Sequence, residues 1–340
     1  MINIYTPTHW LHDTRDLYVD DHEIFIEERP ERAFFIKEAI LSFDLGKIIE
    51  PEDFGLDPIL AVHNFDYIEF LKNIYTEGIN FYGYERLLLP ETFPSRRPFR
   101  RTNHPIGKLG YYSFGTYSPI LKGTWNAAYW SAQCAITAAN VALSENQTTY
   151  AICRPPGHHA GKDYYGGFCY LNNAAIAAKT LPGKVAVLDI DFHHGNGTQD
   201  ILYDDLMVHY YSIHADPDAE FPYFWGGTEE KGNVHGEESN FNFPLPLGTT
   251  DSEYLRTLGI CLQKIIDFGP DNLIISLGYD ILSGDPAGGF NITDHGLHEI
   301  ATKIANLTRQ GLRTILIQEG GYILESLGKS TVTFFSEFQT

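Results

Sequence analysis

The sequence predicts an α/β protein built on an open, mainly parallel sheet with helices on both faces and its active site at the C-terminal ends of the strands. Three observations carry this. Several apolar runs are near-continuous rather than alternating, as strands covered on both faces are. Helical patterns fall between them, the mark of an α/β fold. Four of the runs end in polar residues, and in open parallel sheets ligands bind beyond the carboxyl ends of the strands.

The runs are "YAICRP" from Tyr150, "VAVLDID" from Val185, "MVHYYSIHA" from Met207, "NLIISLGYD" from Asn272 and "RTILIQEGG" from Arg313. An Ala-rich span from Trp125 to about Leu143 reads as a helix. A second helix opens with the capping box Thr250-Asp251-Ser252-Glu253 and places Leu255, Leu258, Leu262 and Ile265 on one stripe. A third runs from about Thr293, with Leu297, Ile300, Ile304 and Leu307 on one face. No repeat or linker divides the chain, so residues 1–340 read as one domain. The pattern breaks from about Asn80 to Lys122, where "PETFPSRRPFRRTNHPIGK" is rich in Pro and Arg and lacks periodicity. Loops this long are usually functional or flexible.

Hydrophobic residues make up 43% of the 340, enough for a substantial core. Lys and Arg number 24 against 44 Asp and Glu, a net charge of −20. That balance argues against nucleic acid or an anionic membrane as a partner and favours cationic ligands. Cys134, Cys153, Cys169 and Cys261 form no CxxC pair, so neither a disulfide framework nor a structural zinc site is suggested. The start "MINIYTPTHW" lacks a secretory pattern and no apolar run reaches membrane-span length, so the expected location is the cytoplasm.

Carboxylates, imidazoles and glycines crowd into "VLDIDFHHGNGTQD", directly after an apolar run. Burying such groups is unfavourable unless they are paired or bind a metal. Asp191 and His193, one residue apart, point to the same side of an extended segment. Asp280, after "SLGY", offers a third ligand; one His with carboxylates suits Zn²⁺ and leaves a position open. A lone Asp-x-His is commonly a surface pair; the position after a buried strand, with Asp280 and the His pair, favours the metal. His158 and His159 follow "RPPG" and precede a Gly-rich turn, which suggests imidazoles aimed at a cleft for acid–base work. Either alone would read as a hydrogen-bonded structural His. Tyr322 follows Gly320-Gly321, and its hydroxyl could donate to an oxyanion, although by itself it would be taken for a core tyrosine. His63, His209, His235, His295 and His298 lie on helical or loop stretches without ligand-like company, and His194 is expected to face away from His193. Gly195 and Gly197 do not form a phosphate loop, because no Lys-Ser/Thr follows.

In this order, "RPPGHHA", "GGFCYLNNAAIAA", "DIDFHHGNGTQDI", "SLGYD" and "EGGY" resemble the zinc-dependent deacetylases of the arginase–deacetylase fold. The chain is most similar to the bacterial acetylpolyamine amidohydrolases and the class II histone deacetylase-like amidohydrolases. The resemblance implies zinc on Asp191, His193 and Asp280, with Fe²⁺ or Co²⁺ as possible substitutes. It makes His159 the general base and later acid, His158 its electrostatic neighbour, and Tyr322 the group that polarises the acetyl carbonyl. Asp189 would orient His158, and Asn196 stands where class I members carry an Asp bonded to the second His. A structural K⁺ site would draw on Asp189, Asp191, His193, Ser212 and Ile213. Phe168 and Phe221 would wall the acyl tunnel beside Gly167, and Arg32 would lie near an internal acetate pocket.

The resemblance also implies a homodimer through the loop at about 80–122, where "GYYSFGTYSPILKGTW" is similar to an insertion that narrows the entrance. Acidic residues that touch the polyamine tail in some members fall here at Ile106 and Tyr117, leaving Asp16 as the acidic group of the N-terminal loop. Ala287 replaces the gatekeeper Glu of the eukaryotic polyamine deacetylase. The expected activity is therefore hydrolysis of small N-acetylated amines, short acetylated diamines above all. The alternatives are a protein acetyl-lysine deacetylase, a two-manganese ureohydrolase, whose bridging carboxylates are incomplete here, and a non-catalytic amine or metal sensor.

Overall fold

The computed structural model describes residues 1–19, 22–95, 100–232 and 238–339. His235 and positions 96–99 of the Pro- and Arg-rich stretch therefore lie outside the described residues. In chain order the strands are β1 (Ile2–Ile4), β2 (Leu17–Val19), β3 (His22–Ile24), β4 (Lys47–Ile49), β5 (Thr149–Ala151), β6 (Val185–Asp189), β7 (Val208–Ala215), β8 (Asn240–Leu245), β9 (Asn272–Leu277) and β10 (Arg313–Gln318). The helices are α1 (Glu31–Ser42), α2 (Asp57–Leu60), α3 (Phe65–Tyr82), α4 (Pro105–Tyr111), α5 (Thr124–Glu145), α6 (Asn173–Thr180), α7 (Asn196–Leu202), α8 (Asp251–Phe268), α9 (Asp294–Arg309) and α10 (Leu324–Phe335).

Among the described residues eight strands form one sheet in the order β4-β1-β5-β10-β9-β6-β7-β8, and every pairing in it is parallel. The unbroken apolar runs are explained by how they divide. Val185, Val187, Ile274, Ile315 and Ile317 pack with α3, α5 and α6 on one face. Their neighbours Ala186, Leu188, Leu273, Ile275 and Leu316 pack with α1, α8, α9 and α10 on the other. Alternate side chains of a strand point to opposite faces, so a sheet covered on both sides needs apolar residues at every position.

The five predicted strands are β5, β6, β7, β9 and β10. The sequence reading did not identify β1, β4 and β8. β1 and β4 are only three residues long, and the edge strand β8 carries Pro244, a residue confined to sheet edges. The box at Thr250 forms as expected, with Glu253 accepting from the Thr250 N–H at 3.0 Å. On that helix Tyr254, Leu258, Cys261, Leu262 and Ile265 are buried, while Leu255 is half-buried. The span from 80 to 122 is more ordered than its composition suggested. Pro105 opens α4, where its missing N–H costs nothing, and Leu88 bridges Ile120.

β5, β10, β9 and β6 are consecutive in the sheet, and they are the four strands whose runs end in polar residues.

Candidate active site

Asp189 is the last residue of β6, and the turn after it carries Asp191 and His193. The loop after β9 brings Asp280 to the same point. His193 Nδ1 lies 3.3 Å from Asp191 Oδ1 and 3.3 Å from Asp280 Oδ2. One ring nitrogen thus faces two carboxylate oxygens and has at most one proton to share. Asp280 Oδ1 accepts from the Phe192 N–H at 3.1 Å, whereas the buried Oδ2 accepts no hydrogen bond among the described residues. Asp191 is anchored by the N–H groups of His193 at 2.9 Å and Gly320 at 2.8 Å. The ligand atoms of Asp191, His193 and Asp280 all lie within 4.8 Å of one another. A hard or borderline cation would satisfy the orphaned oxygen and the crowded nitrogen together, so these residues fit a metal.

Glycine is required beside them. A Cβ on Gly320 would stand 2.2 Å from Asp280 Oδ2, and one on Gly278 2.4 Å from Asp191 Oδ2. A second group, His158, Cys169 and Glu319, also has ligand-like spacing. It is already satisfied: Glu319 accepts the N–H groups of Gly157 at 2.7 Å and His158 at 3.1 Å. Burial also drives the Cys169 thiol well above its ordinary pKa, which disfavours the thiolate a metal needs.

The tandem histidines come from the loop after β5. Their rings are 4.0 Å apart, yet their partners differ. His158 Nδ1 meets Asp189 Oδ2 at 3.1 Å, and Tyr210 donates its hydroxyl to the same oxygen at 2.8 Å. His159 Nδ1 meets Asn196 Oδ1 at 2.7 Å. Burial alone would depress His158, but the carboxylates of Asp191 and Asp189 outweigh it and push its pKa up to about 10. His159 has no such carboxylate partner. Burial, then the positive charge of His158 and His193, holds it well below the ordinary imidazole value. Asp280 is pushed up to about 7 by burial and by the neighbouring Asp191 charge.

Tyr322 follows β10 through the turn Glu319-Gly320-Gly321. Its N–H donates to Asp285 Oδ2 at 2.7 Å, and its ring meets Phe168 edge-on at 5.8 Å. Burial raises the phenol well above its usual pKa, so it stays protonated. Arg32, buried in α1, donates to the carbonyls of Gly321 at 2.7 Å and Glu319 at 2.5 Å, and its guanidinium lies 4.6 Å from the Tyr322 ring. Glu28 compensates it at 2.9 Å, and the same carboxylate oxygen meets Arg154 at 2.9 Å.

A cavity of about 450 Å³ opens onto this constellation. His159, His193, Tyr322, Gly167, Phe168, Phe221 and Tyr117 line it, with Ala287 also on its wall. Gly167 has φ +53°, and a Cβ there would stand 2.3 Å from His159 Cδ2, so the loop passes the imidazole only as glycine. Asp16 and Ile106 are not among the lining residues. Asp16 borders a different surface depression with Leu11, Asp13 and Tyr18, and Ile106 sits half-buried on α4. Ser212 and Ile213 lie on β7, with Ser212 in register with Asp189 and its hydroxyl bonded to His214 at 2.8 Å.

The other histidines named from the sequence, His235 aside, stand apart from this constellation. His63 is buried between the Gly161 carbonyl and the Asn172 N–H. His194 meets the His214 ring edge-on and lies 3.1 Å from Gln199. His209 belongs to β7, neither helix nor loop, and stacks on Phe268. His295 and His298 lie on α9. The sequence reading did not single out Glu27, Glu220 and Tyr223 on the cavity wall, nor Tyr164, Tyr210 and Glu319 behind it. Glu319 alone carried a signal, since it opens the "EGGY" motif; the rest are ordinary loop or strand residues until the fold brings them together.

Sheet, metal-type cluster and tandem imidazoles together define a hydrolytic deacetylase. Comparison with known proteins agrees: a histone deacetylase domain matches residues 26–338, and the chain belongs to that family. It is 40% identical to acetylpolyamine amidohydrolase 1 of Pseudomonas aeruginosa, over 100% of this chain and 99% of that one. It is 37% identical to the acetylpolyamine amidohydrolase of Mycoplana ramosa, over 88% of this chain and 89% of that protein. The crystal structure of an acetylpolyamine aminohydrolase from Burkholderia pseudomallei superposes with a TM-score of 0.92 at 36% identity, covering 99% and 98% of the two chains. No helix among the described residues is long and apolar enough to cross a membrane.

Proposed function

We propose that the protein hydrolyses the acetamide of small N-acetylated amines, short acetylated diamines above all, to acetate and the free amine. The observation that carries this is the cavity, which has aromatic walls, two carboxylates and no Lys or Arg among its described lining residues, and reaches His159, His193 and Tyr322. The names of the similar proteins support it.

Asp191, His193 and Asp280 would hold Zn²⁺, or Fe²⁺ or Co²⁺ in its place. Such a cation, when bound, polarises a carbonyl and lowers the pKa of water from 15.7 towards about 7. The proton work falls to His159. Asn196 Oδ1 can only accept, so the imidazole proton sits on Nδ1 and Nε2 is free to take the proton of the attacking water. The neighbouring imidazolium of His158 keeps His159 weakly basic, so the same proton is readily returned to the leaving nitrogen. Tyr322 supplies its hydroxyl to the developing oxyanion. Arg32 and Asp285 fix the turn that aims it. Phe168 and Phe221 pack against the methylenes of the substrate. A K⁺ ion beside Asp189, Asp191, His193, Ser212 and Ile213 would hold the turn after β6. Exposed Tyr84, Phe93 and Tyr117 on the segment from 80 to 122 are consistent with assembly of a homodimer through that segment.

The test is acetate release from metal-loaded protein on acetylputrescine, acetylcadaverine, acetylspermidine, acetylspermine and an acetyl-lysine peptide. Higher kcat/KM on the two acetylated diamines is expected. Preference for the peptide would make the protein an acetyl-lysine deacetylase instead.

A further inference from the structure

The positions at which a polyamine tail was expected to find acidic contacts do not supply a carboxylate to this cavity. Tyr117 is on its wall but carries a phenol, Ala287 is apolar, and Asp16 and Ile106 are not among the lining residues. Two other carboxylates are on the wall. Glu27 comes from the segment between β3 and α1, and Glu220 from the loop after β7. They are separated by most of the chain and belong to no shared motif. Both are half-buried, so neither is simply a solvated surface charge.

Their hydrogen bonding leaves them open to a ligand. Glu220 accepts the Phe221 N–H on Oε1 at 2.8 Å, which fixes its carboxylate at the base of the residue that walls the cavity. Glu27 forms no ion pair or side-chain hydrogen bond among the described residues, although its neighbour Glu28 is locked between Arg32 and Arg154. Among the described residues lining the cavity there is no Lys or Arg to neutralise either one. Exposed Tyr117 and Tyr223 add ring faces to the same wall, and an ammonium is attracted both to carboxylates and to aromatic faces.

We propose that Glu27 and Glu220 form an anionic subsite for the free ammonium at the far end of the substrate. They make the enzyme select acetylated amines with a second positive charge over uncharged acetamides of the same length. The subsite rests on the reading of the cavity as a site for small acetylated amines, and it assigns the specificity of that site to two residues.

The experiment measures kcat/KM for acetylputrescine and for N-pentylacetamide, an uncharged acetamide of matched length, with an acetyl-lysine peptide alongside. It uses metal-loaded wild type, E27Q, E220Q and the double variant. Glutamine keeps the shape and removes the charge, and neither residue touches the metal cluster. Wild type is expected to prefer the charged substrate. Each single variant should lower the charged-to-uncharged ratio by about three- to fivefold, the range of a half-exposed ion pair, and the double variant by about tenfold or more. The uncharged substrate should be turned over at the wild-type rate throughout, and the lost preference should match that of wild type in high salt. If wild type prefers acetylputrescine and the variants keep its ratio, the subsite is overturned while the acetylated-amine reading stands. If wild type prefers the peptide, the acetylated-amine reading fails and takes the subsite with it. An equal fall on both substrates would mean that the carboxylates support the fold rather than bind the amine, and would also overturn the proposal.

Discussion

His159 Nδ1 lies 2.7 Å from the side-chain oxygen of Asn196. The amide is held in that orientation because its Nδ2 donates to the Tyr164 hydroxyl at 3.4 Å. A neutral partner fixes the tautomer of His159 and favours its protonated form less than a carboxylate would. The opposite arrangement, imidazole against carboxylate, is built 4.0 Å away in His158 and Asp189. Two adjacent histidines thus have different partners, and their pKa values are pushed in opposite directions.

Asn196→Asp is therefore expected to raise the His159 pKa, because a carboxylate favours imidazolium. A base must be unprotonated to work, so the acid limb of kcat/KM should move to higher pH. The profile of pH against rate for wild type and variant checks this. An unmoved acid limb would show that His159 is not the group titrating there.

Tyr322→Phe removes one hydroxyl and leaves the backbone bond to Asp285 in place. Losing one oxyanion donor typically costs about 10² to 10³ in turnover. Metal content should be unchanged, since the hydroxyl is not one of the clustered ligand atoms. Turnover near wild type would remove Tyr322 from the reaction.

Gly320→Ala would drive a Cβ to 2.2 Å from Asp280 Oδ2 and 2.6 Å from Asp191 Oδ2. The carboxylates must move apart, and overpacking of this kind costs about 1–3 kcal/mol. Elemental analysis after dialysis should find much less bound metal than in wild type, with the far-UV circular dichroism retained. Full metal occupancy would show that the cluster tolerates the displacement.

Stability should fall on mild acidification, away from the active site. Burial holds His63 down to about pKa 4 and His9 to about 3, both below the ordinary 6.5. The folded state keeps them neutral, and His63 must stay so, since its Nε2 accepts the Asn172 N–H at 2.9 Å. Below pH 6.5 the unfolded chain binds protons that the fold refuses. Each such group costs about 1.4 kcal/mol per pH unit until the folded pKa is reached. Urea midpoints between pH 7.5 and pH 5 should drop, and His63→Gln should show a shallower drop. An identical slope in the variant would contradict the assignment.

What the sequence made legible follows from the sheet. β6, β9 and β10 are covered on both faces, so they read as unbroken apolar runs, and their polar ends mark where the cover stops. Asp191, His193, Asp280 and Tyr322 stand just past those ends, and His158 and His159 just past β5, which is what made them stand out in the sequence. Short β1 and β4 could not be read, because three residues carry no period. Helix α4 was hidden by Gly107 and Gly110 inside seven residues. Glu27 and Glu220 are single acidic residues in separate loops, and only the fold puts them on one wall. Asp16 was expected there as the acidic residue of the N-terminal loop that the resemblance implies, yet it borders a different depression.

The proposed hydrolysis depends on a cation held by Asp191, His193 and Asp280. The most direct measurement is acetate release from acetylputrescine by protein stripped with a chelator, before and after titration with Zn²⁺. Activity should be absent from the stripped protein and return in proportion to bound zinc, saturating when each chain holds its ion. Full activity in stripped protein, or stoichiometric zinc uptake by an Asp191→Ala, Asp280→Ala double variant, would contradict it.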